Sequence, residues 1–512
     1  MADRLHVLRL RSVTAVALLL GAAGVGAGPA AATGGAASTG SAASAPSPPS
    51  VRTVSRIAVQ DVPALPGSEP DTLVEPDVAV SPRNSRVAVA VAHDGRYPDG
   101  GAVGISYTWT RDGGLHWHHQ PLPGVTSATG AEPTWARASD PVAAYDDAGR
   151  AYVSTLLFNT GCDSAVAVSR STDGGRTFGA PVLVHRSSTC AVSDDKNWLV
   201  VDTQPGSRHR GRLYQFWTPF LTDPFGKADG SPQAVAWSDD QGQTWTNPVA
   251  VSAPHANTQN SQPMFRRDGT VVDSYLDFGD QAAGEGPEAA QARRTAARVP
   301  PRPRAAAEAP GPRIVTRISR DGGATWADGG VVTKDVGEGP AGIRCCLPTA
   351  ISDPVTGRMY VAWSSVDPRR LLLSTSTDGR TWSAPRRVNS GTRSAWVVNA
   401  DVAAYKGTLA VSYGLTNADT SHDRFARQFV VTSRDGGRTF SPAVTFGPVS
   451  DYAGAAQAQG IFPGDYIGTA LRGNRLYAVW CVSKRPSRAG AKFHQVEYGA
   501  TFDVRSGVRR RG

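Results

Sequence analysis

The chain has 512 residues, with 53 Lys and Arg against 44 Asp and Glu, a net charge of +9. Hydrophobic residues make up 40% and charged residues 19%, a composition that excludes a wholly disordered, collagenous or multi-span membrane chain. The 55 Gly and 37 Pro beside 3 Met suit a turn-rich β protein better than a helical bundle. The basic excess is nearly all Arg, scattered apart from 293–304 and Arg509–Arg511. No stacking aromatics lie among these residues, so the charge is not a nucleic-acid signature.

In chain order, Arg4, Arg9 and Arg11 precede an apolar run from Val13 to Ala27, and the small residues Ala30–Ala32 follow. Charge, length and cleavage chemistry make 1–32 a signal peptide, with a membrane anchor the weaker reading because the run is short and broken by Gly. The first cysteine is Cys162, so no lipid anchor is expected near the cleavage point. The expectation is a secreted, extracellular protein, a monomer that leaves the membrane after cleavage. Residues 33–50 read as a low-complexity linker, 51–507 as one domain, and 508–512 as a basic tail. Within the domain, 281–312 is rich in Ala, Pro, Arg and Glu and reads as a disordered insertion, because patterned sequence resumes on both sides. Of the five cysteines, Cys162 and Cys190 are candidates to pair. Adjacent Cys345 and Cys346 would bond each other only with strain, and one cysteine is left over. No Cys/His spacing resembles a zinc site, and neither metal nor cofactor is expected.

The domain is built on a repeat. Ser/Thr-x-Asp-Gly-Gly-x-Thr-Trp/Phe occurs at Thr110–Trp117, Ser171–Phe178, Ser238–Trp245, Ser319–Trp326, Ser376–Trp382 (one residue shorter) and Ser433–Phe440. The motif has the chemistry of a hairpin turn: Asp and Ser/Thr bond turn backbone groups, and Gly supplies positive φ. The closing aromatic is expected to tuck between neighbouring sheets. Alternating strands precede each motif, as in Val166–Val168 and Phe429–Val431. Two-strand units begin near Pro76, Pro141, Lys196, Gln262, Leu347, Ala400 and Asp465, one more unit than there are turns. The last lacks its turn, and the early strand Val54–Val59 is the candidate to complete it.

Six such turns resemble the Asp-boxes (BNR repeats) of sialidase-type β-propellers, from about Glu75 to Phe502. The resemblance implies an all-β propeller of four-stranded antiparallel blades, with seven favoured over the family's usual six. In that fold the boxes lie at the bottom and the inner-strand starts at the top, so the box aspartates read as structural. Candidate chemistry then sits at Glu75, Asp140, Asp194, Asp195, Lys196, Arg344, Asp401, Asp465 and Tyr466, with the loop His93–Asp99. Carboxylates and Arg around a channel suit glycosidic chemistry on an acidic sugar.

The family's layout aligns Arg96 with its loop arginine, Asp99 with its acid/base aspartate, and Tyr466 with its tyrosine nucleophile. Asp465 and Glu75 join the catalytic candidates, and Arg344, Arg393, Asp140 and Asp195 join Arg96 as substrate-binding candidates. Two departures stand out: Val74-Glu75-Pro76 occupies the place of the Arg-Ile-Pro motif, and no Glu to support the tyrosine is evident near Arg344. The implied activity is an exo-α-sialidase-type glycoside hydrolase acting on extracellular glycan. The alternatives are a non-catalytic propeller that binds glycan or protein, and a polysaccharide lyase using His93 or Lys196.

Overall fold

The alternating segments become antiparallel strands in the computed structural model, which describes residues 46–131, 135–279, 311–337, 339–390, 395–417, 425–487 and 489–504. The expected signal peptide, most of the expected linker, nearly all of 281–312, Arg393 and the expected basic tail lie outside them. Helix is confined to the short turns Ser127–Thr129 and Tyr452–Gly454, among the described residues. The result is an all-β, propeller-like fold.

Strand pairing arranges most of the described strands in seven antiparallel groups of four, the first two joined in one eight-stranded sheet, beside a two-stranded sheet of Ala456–Gln457 and Ile461–Phe462. Group one comprises Leu73–Val80, Ala88–Arg96, Ala102–Thr110 and His118–Pro121. The first strands of groups two to seven are Arg137–Tyr145, Val192–Val201, Thr258–Phe265, Thr349–Ser352, Ala395–Tyr405 and Gly468–Arg472. Group three carries an extra short strand, Ala228–Gly230, and one pairing, Ala102 with Ala138, ties groups one and two together. Successive first strands touch one another in a ring, and that of group seven touches that of group one. The fourth strand of group seven comes from the other end of the chain: Ser50–Ala58 pairs with Gln495–Asp503, Ser50 opposite Asp503 and Ala58 opposite Glu497. The expected strand at Val54–Val59 is thus found, starting four residues earlier.

Stacking explains why the second strands read as continuous rather than alternating apolar runs. All nine residues of Ala88–Arg96 are buried, because neighbouring sheets cover both faces. Tyr152 and Leu156 of group two share a core with Leu213 and Trp217 of group three. Val78 and Ala90 of group one share another with Tyr477 and Val479 of group seven.

Each repeated turn joins a third strand to a fourth. In Ser171–Phe178, Asp173 Oδ1 accepts from the backbone N–H of Arg176 (2.9 Å) and Thr177 (3.0 Å) and from the Ser171 hydroxyl (2.8 Å). The Thr177 hydroxyl donates to Oδ2 (2.7 Å), and Gly175 N–H donates to Ser171 Oγ (2.8 Å). Asp240 and Asp435 repeat this pattern, and Asp321 repeats it apart from the first backbone bond. Gly175 sits at φ +92° with its Cα against Val89 of the preceding group, where any Cβ would collide with Val89 Cγ2. The closing aromatics pack across groups as the motif implies. Phe178 meets Tyr107 edge-on at 4.9 Å and Trp117 meets Tyr477 at 6.2 Å. Cys162 bonds Cys190 and Cys345 bonds Cys346, so the adjacent pair does close; Cys481 is free and buried.

Candidate functional site

The first strands share a local irregularity where they begin. Register shifts fall between Val74 and Asp77, Ser139 and Val142, Asp195 and Trp198, Gln259 and Gln262, and Val398 and Ala400. At each bulge one residue takes left-handed backbone: Glu75 (φ 54°), Asp140 (48°), Lys196 (43°), Asn260 (67°) and Asn399 (51°). Cys346 (82°) and Gly464 (102°) take it just ahead of the first strands of groups five and seven. Bulges re-aim side chains, and left-handed non-glycine residues are strained, so each must be held by its surroundings.

What holds them is a circuit of polar links from group to group. Asp465 N–H donates to Glu75 Oε1 (3.3 Å), joining group seven to group one. His93 Nε2 lies 3.2 Å from Glu75 Oε2 and accepts from Asp140 N–H (2.7 Å), joining one to two. Lys196 Nζ stands 4.0 Å from Asp140 Oδ2. The Gln259 amide donates to Asp195 (3.2 Å) and the Asn260 amide to the Pro348 carbonyl (2.8 Å). Cys346 N–H donates to Asn399 Oδ1, and Asn399 Nδ2 donates to the Gly464 carbonyl, both at 2.8 Å. Every neighbouring pair of groups is thereby linked.

The ionisable residues gather on one arc of this circuit. Glu75, Asp140, Lys196, His93 and Tyr466 are all buried. Burial, followed by the charges of Asp140 and Asp465, pushes the Glu75 carboxyl well above the usual carboxylate range. Burial holds His93 down to about 3, with Arg96, Lys196 and Arg344 adding to the effect against the pull of Asp140. Burial raises the Tyr466 phenol, and Glu75 and Asp140 push it further. The phenol donates to the Pro141 carbonyl (3.2 Å), and Lys196 Nζ lies 3.8 Å from its ring centre. Arg344 pairs with Asp465 at 3.2 Å, their side chains 22% and 16% exposed, so this pair is the partly exposed part of the arc. Arg96 and Arg344 both stack on Phe462, at 4.3 and 5.1 Å. Beneath the arc, Lys196, Trp198, Asn260, Thr349, Asp401 and Tyr466 help line a cavity of about 10 Å³, room for about one water.

Of the residues singled out from sequence, Glu75, Asp140, Arg96, Arg344, Asp465 and Tyr466 converge here. Asp195 lies one position before Lys196 on the same circuit, and Asp194 turns outward to His185 (3.1 Å) and Ser164. Asp99 does not join them: its side chain is 71% exposed and pairs with Arg137 at 2.8 Å, whose hydrogen bond pulls the carboxyl below its ordinary range. Arg393 falls outside the described residues. Glu75, from the other end of the chain, is the first of the charged groups that raise the Tyr466 phenol after burial. Asn260, Asn399 and Phe462 were not singled out; an Asn interrupting an apolar strand start, a residue that tolerates left-handed backbone, is the signal that marks Asn399.

Glu75, His93 and Asp140 also place three ligand atoms within 4.8 Å of one another, a spacing that suits a divalent cation. The donor set does not fit one, because an N–H, that of Asp140, already points at the His93 Nε2 lone pair and Lys196 Nζ stands 4.0 Å from Asp140 Oδ2.

No family model matches the chain, and no curated protein sequence matches it. Among solved structures, a Hadza microbial sialidase aligns at 14% identity over 88% of this chain and 96% of its own, with a TM-score of 0.43. An α-L-arabinofuranosidase of Fusarium graminearum aligns at 12% over 70% and 92%, with a TM-score of 0.43. A Trypanosoma rangeli sialidase aligns at 13% over 74% and 59%, with a TM-score of 0.42. Likenesses this distant carry no chemistry onto the chain, and its reading rests on its own residues.

Proposed function

We propose that the chain is an exported glycoside hydrolase of the sialidase type, acting on acidic sugars of extracellular glycans. In this reading the seven groups are the blades of a closed propeller and the repeated turns are its Asp-boxes. The observation that carries it is a pair of unlike carboxyls at the strand starts. Glu75 is buried and pushed toward its neutral form, while Asp465 meets solvent in an ion pair with Arg344. Two carboxyl groups in environments this different are the arrangement that divides acid from charge-stabiliser in glycosidic cleavage.

Glu75 gives its proton to the glycosidic oxygen as the anomeric C–O bond breaks and the bonding pair moves to that oxygen. Tyr466 presents its phenolic oxygen to the anomeric carbon, with Asp140 the neighbouring carboxylate to take the phenolic proton. Arg96 and Arg344, with Arg393, offer forked donors to a substrate carboxylate. The resemblance assigns the acid role to Asp99, but its pairing with Arg137 favours the ionised form, which has no proton to give.

The second reading is a propeller that binds glycan without cleaving it. The burial of Tyr466, 6% exposed, and the small cavity beside it favour that reading. Assay on acidic aryl-glycosides and natural glycans separates the two. Glu75→Gln is expected to cut kcat by about 10²–10⁴-fold, most for poor leaving groups, and Tyr466→Phe to abolish turnover. The same leaving-group dependence in Asp99→Ala, with Glu75→Gln active, returns the acid role to Asp99. A wild type that releases no sugar yet binds glycan as Tyr466→Phe does leaves the binding reading in place.

A further inference from the structure

We propose that His93 is the positioning residue for Glu75, its Nε2 atom fixing the proton-loaded orientation of the Glu75 carboxyl. The inference rests on the reading of Glu75 as proton donor. Among the described residues, no other histidine is placed within this arc.

The geometry dictates the state of the ring. His93 sits in the second strand of group one, opposite Val74, and is 2% exposed. The backbone N–H of Asp140 points at Nε2 from 2.7 Å, so Nε2 accepts and the ring proton lies on Nδ1. The Glu75 Oε2 atom is 3.2 Å from that same lone pair. A carboxylate oxygen there would face a nitrogen lone pair, which is repulsive, whereas a carboxylic O–H shares that lone pair with the Asp140 N–H as a second, longer donor. The other oxygen, Oε1, accepts from Asp465 N–H, so both ends of the carboxyl are held at rest, and proton transfer requires the O–H to swing from Nε2 to the glycosidic oxygen. Ser139 completes the set: its hydroxyl is 3.2 Å from Nε2 and donates to Asp140 Oδ1 at 2.7 Å.

A charged imidazolium would alter this arrangement, and its surroundings oppose one. Arg96 on its own strand, Lys196 from group three and Arg344 ahead of group five all oppose a positive ring, with only Asp140 pulling the other way. The ring therefore acts as a fixed acceptor. It favours the neutral carboxyl before proton transfer, and its lone pair faces the carboxylate left afterwards, which promotes reprotonation from water.

The test pairs spectroscopy with kinetics on the full chain. In protein labelled at histidine, the His93 NMR signal is identified by its absence from His93→Gln. It is expected to report a neutral ring protonated at Nδ1 from pH 8 to pH 4; a proton on Nε2, or titration near the ordinary value of about 6.5, overturns the proposal. In kinetics, His93→Leu is expected to lower kcat at least tenfold with KM within twofold of wild type. It should also move the alkaline limb of kcat/KM to lower pH by about one unit, because losing an acceptor for the neutral carboxyl favours its ionisation. His93→Gln, whose amide oxygen can receive the Asp140 N–H, is expected to recover part of the rate. Equal rates in all three proteins overturn the proposal. If the wild type cleaves nothing, the hydrolase reading falls, and the NMR state of His93 still decides whether this ring has the required geometry. If His93→Leu does not fold, His93→Gln and the wild-type spectrum carry the test.

Discussion

The strand-start circuit and the repeated turns are both periodic, yet one varies its residues and the other repeats them. Each turn uses an Asp that accepts from nearby backbone N–H groups, three and four positions on at Asp173, Asp240 and Asp435 and two and three positions on in the shorter turn at Asp378. The first strands instead begin with Glu, Asp, Lys, Asn and Asn in left-handed backbone at bulges, and Cys and Gly take it just ahead of the other two. A demand that every repeat must meet selects one residue type, as the turn does. Unlike residues on a shared backbone strain indicate that each position does something different, which is where chemistry is expected. Both regions also oppose each other electrostatically. Turn carboxylates are drawn down, Asp240 to about 2 by the hydroxyl and N–H of Thr244. Buried carboxyls near the strand starts are pushed up by desolvation, Asp77 to about 6 and Asp273 to about 8.

The largest effect that could break this contrast lies in a turn. Gly175→Ala adds a methyl where Val89 already sits and forces a side chain onto left-handed backbone. It is expected to cost about 3 kcal/mol or more in denaturant unfolding; a loss below about 1 kcal/mol would mean that the turn is not pinned by the neighbouring sheet. Asp173→Ala is expected to cost about 1–2 kcal/mol, because the N–H groups of Arg176 and Thr177 lose their acceptor.

The opposed carboxyls give a pH dependence with two limbs. Turn groups have folded values below their unfolded ones, so their contribution is present above about pH 4 and is lost as the pH falls toward 2. Asp273 and Glu497, both raised to about 8 by burial, behave in reverse. Their contribution is complete below about pH 4 and is lost as the pH rises to 8. The melting temperature is therefore expected to peak between about pH 4 and 6. Asp273→Asn, which keeps the bond from Ser261 (2.8 Å), should raise Tm by a few degrees at pH 8 and leave it unchanged at pH 4; equal Tm values at pH 8 contradict the assignment. The smallest effect is expected at Asp99, whose exposed ion pair should make Asp99→Asn cost within about 0.5 kcal/mol in the same unfolding assay.

The fold was legible because the turn motif is local: one Asp, its Gly pair and its aromatic fall within eight residues, so six copies state the repeat directly. Strand Ser50–Ala58 was also legible, since a ring with one turn too few needs an outer strand from elsewhere. The site was legible only in part. Polar residues at strand starts were visible, and Glu75, Asp140, Lys196 and Tyr466 do converge. The Asp465–Glu75 bond spans 390 positions, however, and Asp99 chose Arg137, a partner in the next group. Such pairings follow from how sheets stack around the ring, and no short window of sequence records them. Cys346 was hidden for a related reason: its left-handed backbone just ahead of a strand is set by how the chain enters the sheet rather than by residue type.

The central claim is that the turns hold the structure while the charged arc carries the chemistry. Its most direct measurement is Tm together with kcat/KM per folded molecule on an acidic aryl-glycoside, for wild type, Asp173→Ala and Glu75→Gln. Asp173→Ala is expected to lower Tm and leave kcat/KM of the folded fraction within twofold of wild type. Glu75→Gln is expected to keep or raise Tm while kcat/KM falls by at least about 10²-fold. Full activity in Glu75→Gln, or a loss of activity in folded Asp173→Ala as large as the one expected for Glu75→Gln, would contradict the account.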